Sequence, residues 1–181
     1  INKSHKKYIK GIRGKNIKII FGGAERYISS YIALKYLRRF KINKVFIHDA
    51  ARPNMSINLL NKLNRYIKSY KAVIPYIKIN DSIKYKTKEK IINLVRDNVY
   101  ITQTPQCFDF KYIFNLAKKN KLKITDESSL VINNKDDLKF IESENDNFKI
   151  TNVNNLKNYD RKTFYGIGFD IHRLVPGRNL Y

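Results

Sequence analysis

Residues 48–53, with the sequence HDAARP, hold the residue types best suited to chemistry on a phosphate group. They follow the apolar run KVFI, so Asp49 is expected at the carboxyl end of a strand, where a carboxylate can ligate Mg²⁺ that carries nucleotide phosphates. Arg52 offers a forked donor for phosphate three residues later. The alternative is a local pair in which Asp49 and Arg52 brace the loop before Pro53.

Two further stretches have residue types that could hold a ligand. Gly22 and Gly23 precede a helical pattern, where glycines let the backbone approach a ligand and free N–H groups suit anions or base edges. A tight turn is the alternative, because the stretch is neither G-x-G-x-x-G nor a P-loop. Asp170 and His172 lie two residues apart, which places both side chains on one face of a strand. Zinc needs more ligands than two, so a structural pair is the alternative there.

The elements that would position these residues alternate between short β-rich runs and helical stretches. Strands are predicted at 17–21, 44–48 and 71–77, and helices at 27–40 and 56–70. Strand and helix in alternation predict right-handed crossovers and a parallel sheet that is covered on both faces. Ligands of such a sheet bind beyond the carboxyl ends of its strands, so we expect an α/β domain that handles a nucleotide or a phosphate.

The rhythm changes after residue 77. Residues 78–100 predict two strands around the polar turn KTKEK, which form a hairpin arm. A helix is predicted at 109–121, another begins with Thr125 or Asp126 as its cap, and LKFIES and FKIT are predicted to pair as late strands. Residues 153–162 predict a short helix or linker and the best position for a domain boundary.

The composition excludes some classes of protein. The net charge is +22, with 37 Lys and Arg against 15 Asp and Glu, which favours either a nucleic-acid surface or a bias in amino-acid usage. Bias is favoured, because the lysines are scattered and no nucleic-acid-binding motif is present, so no specific nucleic-acid partner is expected. No apolar run approaches the ~20 residues that span a bilayer. The single cysteine, Cys107, fits a reducing compartment, so a cytoplasmic protein without a membrane partner is expected.

Six stretches, taken in order, resemble a known enzyme family: GGAER, HDAARP, DSIK, VRDNVYITQTPQ, ITDESSLV and NFKIT. Over about residues 16–152 the chain resembles the 2-C-methyl-D-erythritol 4-phosphate cytidylyltransferases of the non-mevalonate isoprenoid pathway. The resemblance implies an α/β, Rossmann-like nucleotidyltransferase fold with a mostly parallel sheet and a hairpin arm. It also implies transfer of CMP from CTP to 2-C-methyl-D-erythritol 4-phosphate, with pyrophosphate leaving and Mg²⁺ assisting.

The resemblance assigns roles to individual residues and to the arm. Substrate-binding residues are those near cytidine (Gly23 and Ser29), those near ribose, phosphates and metal (Asp49 and Ala50), and those lining the methylerythritol phosphate (Arg52, Ser82, Thr104 and Thr125). Arg96 and Lys149 are the expected catalytic residues, which position the substrate phosphate against the nucleotide. Exchange of the arm, residues 78–100, with a second subunit implies a homodimer.

The last residues resemble a second family. GIGFDIHRL is similar to the amino terminus of the 2-C-methyl-D-erythritol 2,4-cyclodiphosphate synthases, where G-x-G-x-D-x-H places Asp170 and His172 on a divalent, zinc-type metal. We therefore expect a cytidylyltransferase domain at 1–152, a short helix or linker at 153–162, and at 163–181 the first strand of a second α/β domain. The whole is expected to be part of a bifunctional enzyme.

The beginning of the sequence departs from the first family. Its members begin with a strand and a glycine-rich loop that grips the CTP triphosphate, and nothing before IKIIF supplies either. We therefore expect this chain by itself to transfer cytidylate poorly or not at all. Two alternatives remain at this point: a sugar nucleotidyltransferase of the same fold with another substrate, and a basic nucleic-acid-binding domain.

Overall fold

The computed structural model describes residues 1–12, 14–120 and 124–159. The chain divides into two compact units, Ile1–Lys149 and Ile150–Tyr181. In the second unit, the backbone N–H of Asn155 donates to Asn152 Oδ1 at 2.9 Å, near the start of a short helix. The expected metal ligands Asp170 and His172 lie outside the described residues.

Four α-helices are present in the described ranges: α1 (Arg26–Leu37), α2 (Ile57–Tyr66), α3 (Phe110–Lys119) and, in the second unit, α4 (Val153–Tyr159). The predicted cap of α2 is confirmed, because Ser56 Oγ accepts a hydrogen bond from the backbone N–H of Leu59 at 2.9 Å. Asp109 caps α3 in the same way through Tyr112 at 2.8 Å. None of these helices is long and apolar enough to cross a membrane.

The strands in the described ranges are β1 (Lys44–Ile47), β2 (Ala72–Ile77), β3 (Ile83–Lys86), β4 (Ile91–Leu94), β5 (Ile101–Thr102), β6 (Gln106–Asp109) and β7 (Leu138–Glu142). In the main sheet β6 lies between β1 and β2, while β5 and β7 also pair with β2. Strands β3 and β4 form a separate antiparallel pair, which confirms the predicted hairpin.

The expectation of a mostly parallel sheet is wrong. Strand β6 is antiparallel to both β1 and β2, and β5 is antiparallel to β2. The pairing of β2 with β7 is parallel. The reason is that β6 enters the sheet between β1 and β2 and runs antiparallel to both. Its segment contains glutamines and a proline and gave no strand signal.

Two other predicted strands do not form. Residues 17–21 are not part of any strand, and the backbone groups of Ile20 and Gly22 hydrogen-bond to Ile1 instead of to a sheet edge. Ile17 is 52% exposed there, so the prediction of a buried strand is wrong. Residues 148–151 likewise form no strand, and β7 pairs with β2 rather than with them.

Helices cover both faces of the main sheet, as the sequence predicts. On one face Ile74 and Phe108 pack with Leu34 of α1 and Ile113 of α3. On the other face Val73 and Cys107 pack with two leucines of α2, Leu59 and Leu63. Burial raises the pKa of the Cys107 thiol to about 12, so this side chain serves as an apolar group. The sheet is therefore a rigid support for the residues at its edge.

Candidate active site

A break between β5 and β6 shapes the site. Both strands pair with the same edge of β2, but residues 103–105 between them are not part of a strand, although the backbone N–H of Gln103 still donates to the carbonyl of Pro75 at 2.8 Å. The buried amide of Asn147 holds this break, because its Nδ2 donates to Gln103 Oε1 and to the carbonyl of Thr104, each at 2.9 Å. The hydroxyl of Thr104 then accepts the backbone N–H of Asp49 at 2.9 Å. The break thereby fixes Thr104 against the residue that follows β1.

A cavity of about 220 Å³ lies at this end of the sheet. Its lining residues are Arg26, Asp49, Arg52, Thr102, Gln103, Thr104, Gln106, Thr125, Asp126 and Lys149. Five residues predicted from the sequence are therefore brought together here: Asp49, Arg52, Thr104, Thr125 and Lys149. They come from four separate parts of the chain, at the carboxyl end of β1, the break before β6, the segment after α3 and the end of the first unit.

Three cations converge on the carboxylate of Asp49. Lys149 Nζ lies 3.0 Å from Oδ2 of Asp49, and Nε of Arg52 lies 4.0 Å from the same oxygen. Nε of Arg26 lies 3.4 Å from Oδ1. Burial alone would raise the pKa of Asp49, but Lys149 and Arg26 together lower it below its ordinary value. Asp49 is therefore ionised at neutral pH and holds the cations around the cavity.

Arg52 is the most buried of the three cations. Its side chain is 10% exposed, and one guanidinium nitrogen donates to the carbonyl of Asn147 at 2.7 Å. Burial lowers the pKa of Arg52, and the nearby Asp49 acts in the opposite direction. Within the part of the chain that the structure describes, Nε of Arg52 has no hydrogen-bond partner. A fixed guanidinium with an available N–H at the cavity wall suits recognition of a phosphate.

Three charged residues in or beside this cavity were not among the predicted site residues, and one of them, Asp126, was expected only as a possible helix cap: Arg26, Asp126 and Glu127. Arg26 donates to Glu127 Oε2 at 2.7 Å, so it touches two carboxylates. All three lie inside GGAER and ITDES, two of the stretches on which the resemblance rests. Their place in these stretches was the one feature of the sequence that could have indicated a role at the site. Charged side chains near a helix start are normally solvated or capping groups, so the spacing alone gave no reason to bury them.

Asp126 organises the segment after α3. Its Oδ2 accepts hydrogen bonds from Gln106 Nε2 at 2.8 Å and from the Thr102 hydroxyl at 3.2 Å. Its Oδ1 accepts from the hydroxyls of Ser128 at 2.7 Å and Ser129 at 3.1 Å, and from the backbone N–H of Ser129 at 3.3 Å. Burial alone would raise the pKa of Asp126, but these hydrogen bonds lower it. The carboxylate therefore ties Thr125 to the break between β5 and β6.

We expect Asp126→Asn to destabilise the fold by about 1–3 kcal/mol, because one amide NH₂ must then face donors that now point at a carboxylate oxygen. The folded-state pKa of Asp126 is below its ordinary 3.8, so its stabilisation is present above that pH and is lost as the pH falls through the folded pKa. Urea denaturation should therefore show the full difference near neutral pH and a smaller one in acid. Asp136→Asn, at an exposed position, is the control and should change stability by less than about 0.5 kcal/mol. Equal effects of the two variants at neutral pH would contradict the assignment.

The glycine stretch and Ala50 do not enter the cavity lining. A Cβ at Gly22 would come 2.3 Å from Ser29 Oγ, and a Cβ at Gly23 would come 2.3 Å from a methyl carbon of Ile28. The hydroxyl of Ser29 donates to the carbonyl of Glu25 at 3.1 Å. These contacts give the two glycines a packing role at the start of α1. Ala50 is exposed next to Asp49.

Ser82 and Arg96 also lie away from the cavity of their own chain. The hydroxyl of Ser82 accepts from Lys84 Nζ at 2.9 Å beside β3. Arg96, just after β4, donates to the carbonyl of Asn80 and lies 3.9 Å from a carboxylate oxygen of Asp97. Of the two expected catalytic residues, Lys149 therefore lines the cavity and Arg96 belongs to the hairpin arm.

The carboxylate of Asp49 is the cavity group best suited to a divalent metal. No group of three or more His, Cys, Asp or Glu side chains that could hold a metal ion occurs in residues 1–12, 14–120 and 124–159. Mg²⁺ is commonly bound through one or two carboxylates together with substrate phosphates and water. Asp49, ionised at the cavity wall, fits the role of a single protein ligand of this kind.

The α/β layers, the hairpin arm and the cationic cavity beyond β1 define a nucleotidyltransferase fold, and solved structures agree. The crystal structure of 4-diphosphocytidyl-2C-methyl-D-erythritol synthase from Anaerococcus prevotii matches with a TM-score of 0.78 and 30% identity, covering 87% of this chain and 73% of that one. The structure of the bifunctional IspDF from Campylobacter jejuni matches with a TM-score of 0.72 and 27% identity, over 87% of this chain and 40% of that one. The expected α/β nucleotidyltransferase class is thereby confirmed.

The chain belongs to the 2-C-methyl-D-erythritol 4-phosphate cytidylyltransferase family, IspD, whose profile matches residues 1–160. A relative from Pelagibacter ubique named bifunctional enzyme IspD/IspF is 43% identical over 181 residues, which is all of this chain and 48% of the relative. A relative from Clostridium kluyveri named 2-C-methyl-D-erythritol 4-phosphate cytidylyltransferase is 36% identical over 147 residues, covering 78% of this chain and 63% of the relative. The chain thus spans about half the length of the bifunctional relative, and the resemblance seen in the sequence is confirmed.

Proposed function

We propose that the protein containing this sequence transfers the cytidylyl group of CTP to 2-C-methyl-D-erythritol 4-phosphate and releases pyrophosphate. It would thus act in the non-mevalonate synthesis of isoprenoid precursors. The observation that carries the proposal is the convergence of Arg52 and Lys149 on Asp49 in one cavity beyond β1. The family, and the names of its relatives, supply the substrate class.

The reaction needs positioning and charge neutralisation rather than a covalent protein intermediate. An oxygen of the sugar phosphate attacks the α-phosphorus of CTP, and the bond from that phosphorus to the pyrophosphate oxygen breaks. Lys149 and Arg52 would hold the attacking phosphate and offset the negative charge that builds up. The hydroxyls of Thr104 and Thr125 would contact the methylerythritol chain from the cavity wall. Asp49 would be the protein ligand of Mg²⁺ bound with CTP, which would supply neutralisation of phosphate charge.

Lys149 is suited to exchange one anion for another. Its side chain is 44% exposed, and its ammonium group lies 3.0 Å from Oδ2 of Asp49. An ammonium on a flexible stem can turn from this carboxylate to a phosphate without a change in the backbone. Arg52 is held by Asn147 and stays in place, so the two cations would play different parts: Arg52 as a fixed site and Lys149 as a movable one.

The positions of Ser82 and Arg96 support a second proposal, that they complete the site of a partner copy in a homodimer. Both lie in or beside the β3–β4 hairpin, which pairs with no strand of the main sheet in the described ranges. The arm exposes Tyr85, Ile91 and Val95, apolar side chains that a second copy could cover. Gly23 and Ser29 are proposed to approach the cytidine through the loop before α1, with Ala50 near the ribose.

The names of the bifunctional relatives support a proposal for the end of the chain. Residues 163–181 would begin a cyclodiphosphate synthase domain, with residues 153–162 between it and the cytidylyltransferase domain at 1–152. Asp170 and His172 would ligate a divalent, zinc-type metal there. A cytoplasmic location is proposed with this function.

Incubation of the protein with CTP, 2-C-methyl-D-erythritol 4-phosphate and Mg²⁺ tests the main proposal. Pyrophosphate should be released in step with a cytidine diphosphate adduct of the sugar, measured by mass spectrometry. Turnover with ATP or UTP, or with another sugar phosphate in preference to this one, would favour a nucleotidyltransferase of different specificity. Steep salt dependence of RNA binding with no response to CTP would favour the nucleic-acid-binding alternative.

A further inference from the structure

Glu127 is a buried carboxylate that the proposed mechanism does not use. Its side chain is 2% exposed, and Oε1 has no hydrogen-bond partner among the residues that the structure describes. Around it, an apolar cavity of about 110 Å³ is lined by Tyr31, Leu34 and Leu130, among other residues. Burying a carboxylate with one unsatisfied oxygen costs free energy of folding. Because Glu127 lowers the free energy of unfolding in this way, we look for its role in the residue that it holds.

That partner is Arg26, at the first turn of α1 and 101 residues earlier in the sequence. One terminal nitrogen of Arg26 donates to Glu127 Oε2 at 2.7 Å, while Nε and the other terminal nitrogen lie 3.4 Å from Asp49 Oδ1. Burial alone would lower the pKa of Arg26, but Glu127 and then Asp49 raise it. The guanidinium is thus anchored more closely on the buried Glu127 and extends from there to the cavity.

Four charged groups therefore alternate in sign from the core to the cavity: Glu127, Arg26, Asp49 and Lys149. On the Oδ2 side, Asp49 is held by the exposed Lys149. On the Oδ1 side it is held by Arg26. The position of Arg26 is set in turn by Glu127, whose side chain is buried. If a substrate phosphate draws Lys149 away, the contact with Arg26 remains and still neutralises Asp49.

We infer that Glu127 and Arg26 are positioning residues of the reaction, which hold Asp49 from the core side so that Lys149 can exchange Asp49 for a substrate phosphate. The inference rests on the proposed function for the identity of that phosphate. Without Arg26, Asp49 would depend on Lys149 and Arg52 for its counter-charge and would compete with the substrate for both. The expected effect is therefore weaker use of the phosphate-bearing substrate, with KM raised more than kcat is lowered.

A double-mutant cycle tests the inference. In the protein that contains this chain, Glu127→Gln should raise the KM for 2-C-methyl-D-erythritol 4-phosphate by about 10-fold, and Arg26→Met by more. Because Glu127 acts through Arg26, the double variant should be no worse than Arg26→Met alone. Arg26→Lys restores the charge but cannot span two carboxylates, so its KM should lie between wild type and Arg26→Met. Circular dichroism and thermal unfolding establish that each variant is folded.

A matched control is the exposed ion pair of Lys71 and Asp137, which lies 3.0 Å apart outside the cavity. Lys71→Met and Asp137→Asn should leave KM and kcat unchanged. An unchanged KM in Glu127→Gln, or an effect of Glu127→Gln that persists fully in the Arg26→Met background, would overturn the inference.

A second readout separates this inference from the proposed function. Calorimetric binding of inorganic phosphate probes Arg52 and Lys149, the cations that would hold the attacking phosphate, and it needs no turnover. Its dissociation constant should rise in Glu127→Gln and in Arg26→Met. If wild type does not turn over CTP and the sugar phosphate, the proposed function fails, while the phosphate-binding measurements still decide the inference. Phosphate affinity that is equal in wild type and both variants would overturn it.

Discussion

Lys149→Met is expected to lower kcat/KM for cytidylyl transfer by about 10²-fold or more, the largest functional effect of any single substitution considered for this chain. The substitution keeps the length and apolar stem of the side chain and removes the ammonium group. That group lies 3.0 Å from Asp49 and lines the cavity with Arg52. Without it, the attacking phosphate loses a cation, and the remaining charge of Asp49 repels it.

Rates of pyrophosphate release, measured over a range of both substrates, give kcat and KM separately. Lys149→Arg keeps the charge but changes its shape, so it should recover part of the lost activity. Lys111→Met, at an exposed position of α3 and with the same change of net charge, is the matched control and should be fully active. Activity of Lys149→Met equal to that of Lys111→Met would contradict the role given to this lysine.

Phe108→Ala is expected to have the largest effect on stability, about 3–5 kcal/mol. Phe108 is fully buried in β6, opposite Val45 of β1 and Ala72 of β2 in the two ladders. Its ring packs with Ile74 and with residues of α1 and α3. Removal of the ring leaves a cavity that a paired central strand cannot close by moving.

Urea denaturation followed by circular dichroism measures the change in the free energy of unfolding. Phe40→Ala is the matched control, because it removes the same atoms from a side chain that is 52% exposed. We expect it to cost about 1 kcal/mol or less. A similar loss in the two variants would show that β6 is not part of the central core.

Elements with a strong period were predictable. Helices α2 and α3 lie within the stretches predicted as helical, α1 begins one residue before its predicted stretch of 27–40, and Ser56 caps α2 as expected. Strand β6 was not predicted, because it is short and begins with a buried glutamine. Its buried residues Cys107 and Phe108 face opposite sides of the sheet, so they give no alternation of apolar and polar residues. Strand 17–21 was predicted from its short apolar run, and such a run does not reveal whether a sheet edge is available to pair with it.

The site was predictable where residue types carry the chemistry. Asp49, Arg52, Thr104, Thr125 and Lys149 were all named from the sequence and share one cavity. The contacts that hold these cavity residues in place could not be predicted from the sequence. Arg26 and Glu127 are 101 residues apart, and nothing in a single sequence indicates that two such distant residues are in contact. For the same reason the amide of Asn147, which holds the break before β6, was not anticipated.

The insertion of β6 between β1 and β2 has a consequence for how the chain folds during its synthesis. Within the described residues β1 and β2 share no ladder, so they remain separate until residues 106–109 have left the ribosome. Contacts of such long sequence separation close slowly, and the two earlier strands expose unpaired edges meanwhile. The cavity is later still, because Lys149 is its last residue in the chain. Sheet and cavity are therefore completed together near the end of the domain's synthesis, and a nascent chain that stops before residue 106 has neither.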